Sequence, residues 1–211
     1  MIGAMEHSPA RDAALLALLP RVEALGWTMA ALRQGLRETG GEPADAALLF
    51  PGGGPEMIEA FADLIDRRMQ AEAATLGLPA LRVPARVRAL IALRLRLLAP
   101  HRAAVLRAAG KLAAPGRKPL ALRCAARTVD AIWHAAGDSS ADFSWYTKRA
   151  ILAGVYGATL LFWLGRHDED DAAALAFLDR RLAGVAAIGR ARRRCEGLLA
   201  RLRPGGQAEA A

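Results

Sequence analysis

The residue types that most often perform chemistry are widely spaced in this sequence. Its four histidines, His7, His101, His134 and His167, form no HExxH pattern and no close pair with a cysteine. The glycine-rich stretch GGGP at 52–55 lacks the lysine and hydroxyl residue that a phosphate-binding loop needs. We find no nucleophile placed beside a base in the sequence. The pattern therefore predicts a protein that is not an enzyme, with no catalytic residue.

The acidic run HDEDD at 167–171 is the pattern best suited to a metal ion, because its clustered oxygens could act as ligands. Acids also favour a helix start, where the helix dipole is positive. An apolar helical pattern begins at Ala172, so we interpret the run as a helix start and predict neither a metal site nor a cofactor. Cys124 and Cys195 form no CxxC pair, which fits a reducing compartment without disulfides or zinc.

The composition indicates what kind of scaffold must position any site. Hydrophobic residues make up 54% of the 211-residue chain and aromatic residues only 5%, so alanine and leucine dominate the core. Both are strong helix formers, whereas the residues that favour strands are scarce. We therefore predict an all-α fold. The first residues contain no basic segment followed by a long apolar one, so a cytoplasmic protein is expected.

The N-terminal third has the outline of a helix-turn-helix headpiece. Ser8 and Pro9 predict the cap and first residue of one helix, and Thr28 predicts the cap of a second. A short third helix over 42–50 and a longer fourth complete the outline, which resembles the N-terminal part of TetR-type repressors. We expect a headpiece over 1–66, a helical body over 67–194 and a short, partly disordered amphipathic tail over 195–211.

The N-terminal part of the chain is acidic and the rest is basic. The acidic part argues against nucleic acid as a partner. Residues 1–66 carry four arginines and ten carboxylates, a net charge of −6, whereas residues 67–211 carry a net charge of +14. The stretch from Glu42 to Asp66 contains six acids and no Lys or Arg. Such a surface repels the phosphate backbone. The basic remainder favours an anionic partner, such as lipid headgroups.

Two apolar segments of the sequence are candidates for contact with a membrane. Residues 150–164 form a 15-residue run, which is too short to cross a bilayer, and Gly154 and Gly157 predict close helix packing in a core or a dimer. In the tail, Cys195, Leu198, Leu199 and Leu202 repeat at helical spacing beside several arginines. Such a basic amphipathic segment can lie in a bilayer interface. A solvated or core-docked terminal helix fits the same periodicity equally well.

Trp145 and Tyr146 stand side by side just before the 150–164 run. Adjacent helical residues point about 100° apart, so both cannot lie at the centre of one narrow buried stripe. We expect at least one to be exposed, as aromatic anchors of protein interfaces are. The alternative is that both line a broad core.

The stretch GDSSADFSWYTKRAILAGVY at 137–156, with FLDRRL at 177–182, resembles the signature of the ubiquinone-biosynthesis accessory lipid-binding family. The resemblance extends over about residues 10–190. It implies a TetR-like all-α fold and a non-enzymatic homodimer that binds an isoprenoid quinone or related lipid in an apolar cavity. It also implies support for the demethoxyubiquinone hydroxylase, at an anionic membrane surface. We therefore expect a cytoplasmic protein peripherally associated with the inner membrane.

The resemblance also implies site residues. The residues that it implies for docking of the hydroxylase are Asp142, Phe143, Trp145, Tyr146 and Arg149. Helical position suggests a lipid site lined by Leu90, Ile91, Leu95, Ile132, Leu152, Val155, Leu160 and Leu161. The membrane-contact element corresponds to Arg193, Arg194, Leu198, Leu199, Arg201 and Leu202. The alternative function is a TetR-like transcriptional regulator that senses a hydrophobic ligand.

Overall fold

The structure, a computed structural model, describes the backbone of residues 8–137, 144–166 and 171–202, and the side chains within those ranges except 144–145 and 188–202. In these ranges the chain contains helices, turns and connections but no strand, so the predicted all-α fold is confirmed. The α-helices are α1 (Pro9–Leu25), α2 (Met29–Glu38), α3 (Ala46–Leu49), α4 (Gly53–Ala73), α5 (Val83–Leu98), α6 (Arg102–Ala113), α7 (Lys118–Ala135), α8 (Ser144–Leu164) and α9 (Ala172–Leu202).

Capping residues define the first two helices as the sequence predicts. The Ser8 side chain accepts a hydrogen bond from the Arg11 backbone N–H at 3.3 Å, and Pro9 opens α1. The Thr28 hydroxyl accepts from the Ala31 backbone N–H at 3.2 Å at the start of α2. Each side chain pairs a backbone donor that the first helical turn leaves unpaired.

Two glycines allow the headpiece backbones to touch. A Cβ atom on Gly35 of α2 would lie 2.3 Å from the carbonyl oxygen of Ala17 in α1. A Cβ atom on Gly54 of α4 would lie 2.3 Å from the carbonyl oxygen of Trp27. Glycine is therefore the residue type that fits at both crossings without backbone movement.

The headpiece and the body share one core. Trp27 is fully buried and its indole N–H donates to the Ala104 carbonyl of α6 at 3.0 Å, while its ring lies 5.5 Å from that of Phe61 in α4. The predicted boundary at residue 66 lies inside α4, and the one at residue 194 lies inside α9. Helices therefore continue through both positions.

Arginines of α5 and α6 hold the C-terminal ends of α7 and α8. The Arg86 guanidinium donates to the Ala136 carbonyl at 3.0 Å. Arg102 donates to the carbonyls of Trp163 and Arg166, and its guanidinium carbon lies 4.3 Å from the Trp163 ring centroid. Cations at these positions pair carbonyls that the last helical turn leaves unpaired.

Within this one chain, the close packing expected in a core at Gly154 and Gly157 is wrong, because a Cβ atom at either glycine would meet no other atom of the described residues within 4 Å. Close packing of these glycines in a dimer stays a prediction. Gly154 is exposed in a groove between α8 and α9, and Gly157 faces a cavity.

Within the described ranges, no helix has the length and apolar character required to span a bilayer.

Candidate functional site

An apolar cavity of about 190 Å³ lies between α4, α5, α6, α7 and α8, and we call it the inner cavity. Its aliphatic and aromatic lining includes Ile58, Phe61, Leu98, Val105, Ala108, Leu112, Ala125, Ala153 and Leu160. Cys124 also lies in its wall. An apolar hollow with a few polar groups is the usual form of a small-molecule site.

One end of the inner cavity carries four buried polar side chains, which we call the polar network. Arg94 donates to Asp66 at 2.7 Å, to the Thr128 hydroxyl at 3.1 Å and to the Tyr156 hydroxyl. The Thr128 hydroxyl in turn donates to Asp66 at 2.8 Å. The Arg94 side chain is only 4% exposed, so the network is shielded from solvent. Arg94, Thr128 and Tyr156 also line the inner cavity.

Burial and pairing act in opposite directions on this network. Burial would lower the pKa of the Arg94 guanidinium, but the Asp66 carboxylate raises it above its usual range, so Arg94 stays charged. Burial raises the pKa of the Asp66 carboxyl, opposed by Arg94 and by the Thr128 hydroxyl. Burial also raises the pKa of the Tyr156 phenol, which therefore keeps its proton at neutral pH. The cavity end thus holds a protonated phenol next to a charge pair.

A second cavity, the outer cavity, has about 220 Å³ and lies between α5, α7, α8 and α9. Its lining includes Val83, Val87, Trp133, Ile151, Leu182 and Val185. The indole N–H of Trp133 is buried and finds no hydrogen-bond acceptor in the part of the chain that the structure describes.

The residues predicted to line a lipid site are distributed over four environments. Leu160 lines the inner cavity, and Leu152 and Val155 line the outer one. The side chain of Leu161 is 65% exposed. Those buried in the apolar core are Leu90, Ile91, Leu95 and Ile132.

The polar network is not among the sites predicted from the sequence. A signal for Arg94 was present, because it lies three residues after Ile91 and four before Leu98, on the buried stripe of α5. A cation on such a stripe needs a buried carboxylate. Nothing in the sequence identifies Asp66, 28 residues away, as that partner.

Of the predicted docking residues, Trp145, Tyr146 and Arg149 belong to the start of α8. Tyr146 is 73% exposed, which confirms the prediction that at least one of the two adjacent aromatics is exposed. Arg149 forms an ion pair with Asp130 of α7. Asp142, Phe143 and the side chain of Trp145 lie outside the described residues.

The predicted membrane-contact residues lie on the last part of α9. Its backbone is helical through Leu202. The side chains of Arg193, Arg194, Leu198, Leu199, Arg201 and Leu202 lie outside the described residues.

The acidic run at 167–171 is described only at its last residue. The Asp171 carboxylate accepts a hydrogen bond from the Trp163 indole N–H at 2.8 Å, just before α9 begins. Among the described residues, no His, Cys, Asp and Glu side chains come together as a metal site.

Comparison with protein families matches residues 118–189 to the COQ9 family model. The chain is also similar to the ubiquinone biosynthesis protein COQ9, mitochondrial, of Rattus norvegicus, with 34% identity over 182 residues. This alignment covers 83% of the chain and 58% of the rat protein. The human protein of the same name is 33% identical, over 83% of the chain and 57% of its own length. The chain thus spans little more than half the length of these relatives.

A solved structure shares the fold. The crystal structure of the TetR transcriptional regulator from Nitrosomonas europaea superposes with a TM-score of 0.67 and 24% sequence identity. The superposition covers 85% of this chain and 99% of the regulator. The TetR-like architecture expected from the sequence is therefore confirmed, and at this identity the likeness concerns the fold alone.

Proposed function

This chain belongs to the COQ9 family, whose model matches residues 118–189, and from that premise we propose that it is an accessory protein of ubiquinone biosynthesis. It performs no chemistry of its own. It binds an isoprenoid quinone precursor in the inner cavity and presents it to the demethoxyubiquinone hydroxylase at a membrane surface.

The inner cavity is the observation that carries this proposal. A cavity of about 150 Å³ with apolar walls admits a benzene molecule, so the 190 Å³ here suits a substituted ring or a short stretch of prenyl chain. Each CH₂ group that leaves water for such a wall contributes about 0.8 kcal/mol to binding. A longer chain must continue beyond the cavity.

Mass spectrometry of lipids that co-purify with the protein tests the proposal. We expect isoprenoid quinones or their precursors in the wild-type preparation. Ala125→Leu should reduce their amount several-fold, because Ala125 lines the inner cavity and a larger side chain would occupy its space. Ala126→Leu is the matched control, since Ala126 is exposed on the same helix. Bulk phospholipid alone, or equal isoprenoid loss in both variants, would contradict the proposal.

Docking of the hydroxylase is assigned to the start of α8. Tyr146 offers a large exposed aromatic side chain there, and the ion pair between Arg149 and Asp130 fixes this part of α8 against α7. Exposed aromatics and arginines are the residue types that most often dominate interface energies. Asp142, Phe143 and Trp145 complete the proposed surface by their place in the sequence.

Tyr146→Ala should weaken binding to the purified hydroxylase about tenfold or more, because truncation of an aromatic anchor typically costs about 2 kcal/mol. Titration calorimetry or surface plasmon resonance can measure the change. Leu122→Ala on α7 is the control, since Leu122 is 69% exposed and lies outside the proposed surface. Equal effects of the two substitutions would show that Tyr146 has no special role.

Peripheral attachment to the inner membrane and a homodimer complete the proposal. The net charge of +14 over residues 67–211 supports attraction to anionic lipids, at about 1 kcal/mol for each cation near the surface. The tail residues from Arg193 to Leu202 are the proposed contact. Exposed Ile151 and Leu161 on α8 support an apolar contact with a second copy.

The alternative, a transcriptional regulator that senses a hydrophobic ligand, has less support. The helix α3 has only four residues, and the exposed residues around it include Glu42, Asp45 and Leu48. Of the headpiece arginines, Arg11 is buried against Glu56 and Arg21 pairs with Glu38, whereas Arg33 and Arg37 are exposed on α2. Residues 42–66, which include α3, contain carboxylates but no Lys or Arg, so the surface around α3 is unsuited to phosphate contacts.

A further inference from the structure

The Tyr156 hydroxyl makes only half of the hydrogen bonds it can make within the described part of the chain. Its oxygen accepts from the Arg94 guanidinium, but its own hydrogen has no acceptor among the described residues. Tyr156 is 5% exposed and lines the inner cavity. A buried donor without an acceptor is costly, so the hydrogen requires an acceptor inside the cavity.

The charge balance of the polar network restricts what that acceptor can be. Arg94 is the cation of the network, and Asp66 lies 2.7 Å from it and balances its charge. Thr128 donates to Asp66 and accepts from Arg94, so neither ion has to attract a third charge. An anionic ligand would lose its hydration without gaining an unbalanced cation. The site therefore suits a neutral oxygen.

The guanidinium also makes the phenol a better donor. A positive charge at the phenolic oxygen withdraws electron density from the O–H bond, and hydrogen bonds in such a chain strengthen one another in a low-dielectric interior. Burial keeps the phenol protonated. Tyr156 thus presents a strengthened, uncharged donor to the cavity.

The burial of the lining residues indicates the orientation of a bound lipid. Along α7 the lining runs from Thr128, which is buried in the polar network, to Ala121, which is half-buried. Seven helical residues span about 10 Å. Leu112 of α6, also half-buried, lies in the lining with Ala121. The polar end is therefore closed, and the solvent side lies between α6 and the start of α7.

We propose that Tyr156 donates its phenolic hydrogen to a ring oxygen of a neutral, quinone-type lipid whose ring lies at the polar end of the inner cavity and whose tail leaves past Ala121 and Leu112. This inference rests on the proposed lipid-binding function and deepens it. It assigns the ligand's head group, the direction of its tail and Arg94 as the residue that positions the donor.

The wild-type protein, freed of co-purified lipid, provides the first test. A benzoquinone with one prenyl unit is compared by titration calorimetry with a prenylbenzene of the same skeleton that lacks the ring oxygens. We expect the quinone to bind about tenfold more tightly, as one well-placed buried hydrogen bond allows. Equal affinities would overturn the inference.

Tyr156→Phe provides the second test, because it removes the hydroxyl and keeps the ring. The preference for the quinone should fall to about twofold or less, while the affinity for the prenylbenzene stays unchanged. A variant that keeps the full preference would overturn the inference. Thermal unfolding shows whether the variant is folded, and if it is not, the comparison of ligands on the wild-type protein decides.

A prenyl carboxylic acid of similar length tests the charge argument at neutral pH. We expect it to bind more weakly than the quinone, and tighter binding would overturn the inference by revealing an anion site. The outcomes also distinguish a failure of this inference from a failure of the proposed lipid-binding function on which it rests. If none of the three probes binds, the proposed lipid-binding function fails, whereas equal binding of the two neutral probes overturns only the role of Tyr156.

Discussion

Replacing Arg94 with methionine should lower the free energy of unfolding by about 3–5 kcal/mol, the usual cost of removing one partner of a buried ion pair. Methionine fills much of the same space but cannot donate to Asp66, Thr128 or Tyr156. Without the guanidinium, burial raises the pKa of the Asp66 carboxyl unopposed by its main partner, so the carboxyl takes up a proton. Urea denaturation followed by circular dichroism measures the loss.

Arg96→Met is the matched control for that substitution. Arg96 lies on the same helix, is exposed and approaches Glu72 only to 3.9 Å. Exposed pairs of this kind contribute about 1 kcal/mol or less. Equal losses in Arg94→Met and Arg96→Met would show that the polar network contributes nothing beyond a surface ion pair.

A second substitution distinguishes two contributions to the lost stability. One is the loss of the network's own interactions, and the other is the cost of leaving a buried carboxyl without its partner. In the Arg94→Met background, Asp66→Leu removes the carboxyl that has lost its partner, and much of the lost stability should return. No recovery would mean that the Arg94 side chain stabilises the fold by its packing and not by its charge.

The second large effect is expected for Gly35→Ala. This substitution should lower the free energy of unfolding by about 3 kcal/mol, at the upper end of the usual range for overpacked sites. The added Cβ would lie 2.3 Å from the carbonyl oxygen of Ala17 and 2.6 Å from its carbon. Both atoms belong to the α1 backbone, so no side chain can rotate away. The two helices would have to separate, and their buried contacts would open.

Gly110→Ala should change the free energy of unfolding in the opposite direction and serves as the control. A Cβ atom on Gly110 of α6 meets no atom of the described residues within 4 Å, and alanine is favoured over glycine in a helix by about 1 kcal/mol. We therefore expect a small gain in stability. Thermal unfolding of both variants measures the contrast, and a neutral Gly35→Ala would mean that α1 and α2 can separate at little cost.

The elements that the sequence predicts well depend on local physics. The scarcity of strand-forming residues predicts an all-α chain, and Ser8 and Thr28 mark helix starts because a side-chain oxygen pairs a backbone donor a few residues away. Helical geometry predicts that at least one of Trp145 and Tyr146 is exposed, and the structure shows that Tyr146 is. None of these predictions needs to know which helices become neighbours.

The polar network depends on neighbours that the sequence does not identify. Asp66, Arg94, Thr128 and Tyr156 come from four different helices, and their pairing appears only when those helices pack. The same limit explains why no other helix of this chain packs closely against Gly154 and Gly157 in the described residues. A small residue permits a close approach, but whether a partner helix arrives depends on the packing of the whole bundle.

Cys124 in the wall of the inner cavity has a practical consequence for work with the purified protein. Burial, aided by nearby Glu59, raises the pKa of its thiol to about 11. At pH 7 only about one thiol in ten thousand is then ionised, and the thiolate is the form that oxidants and alkylating reagents attack. Storage in air without reductant should leave this sulfur intact for a long time.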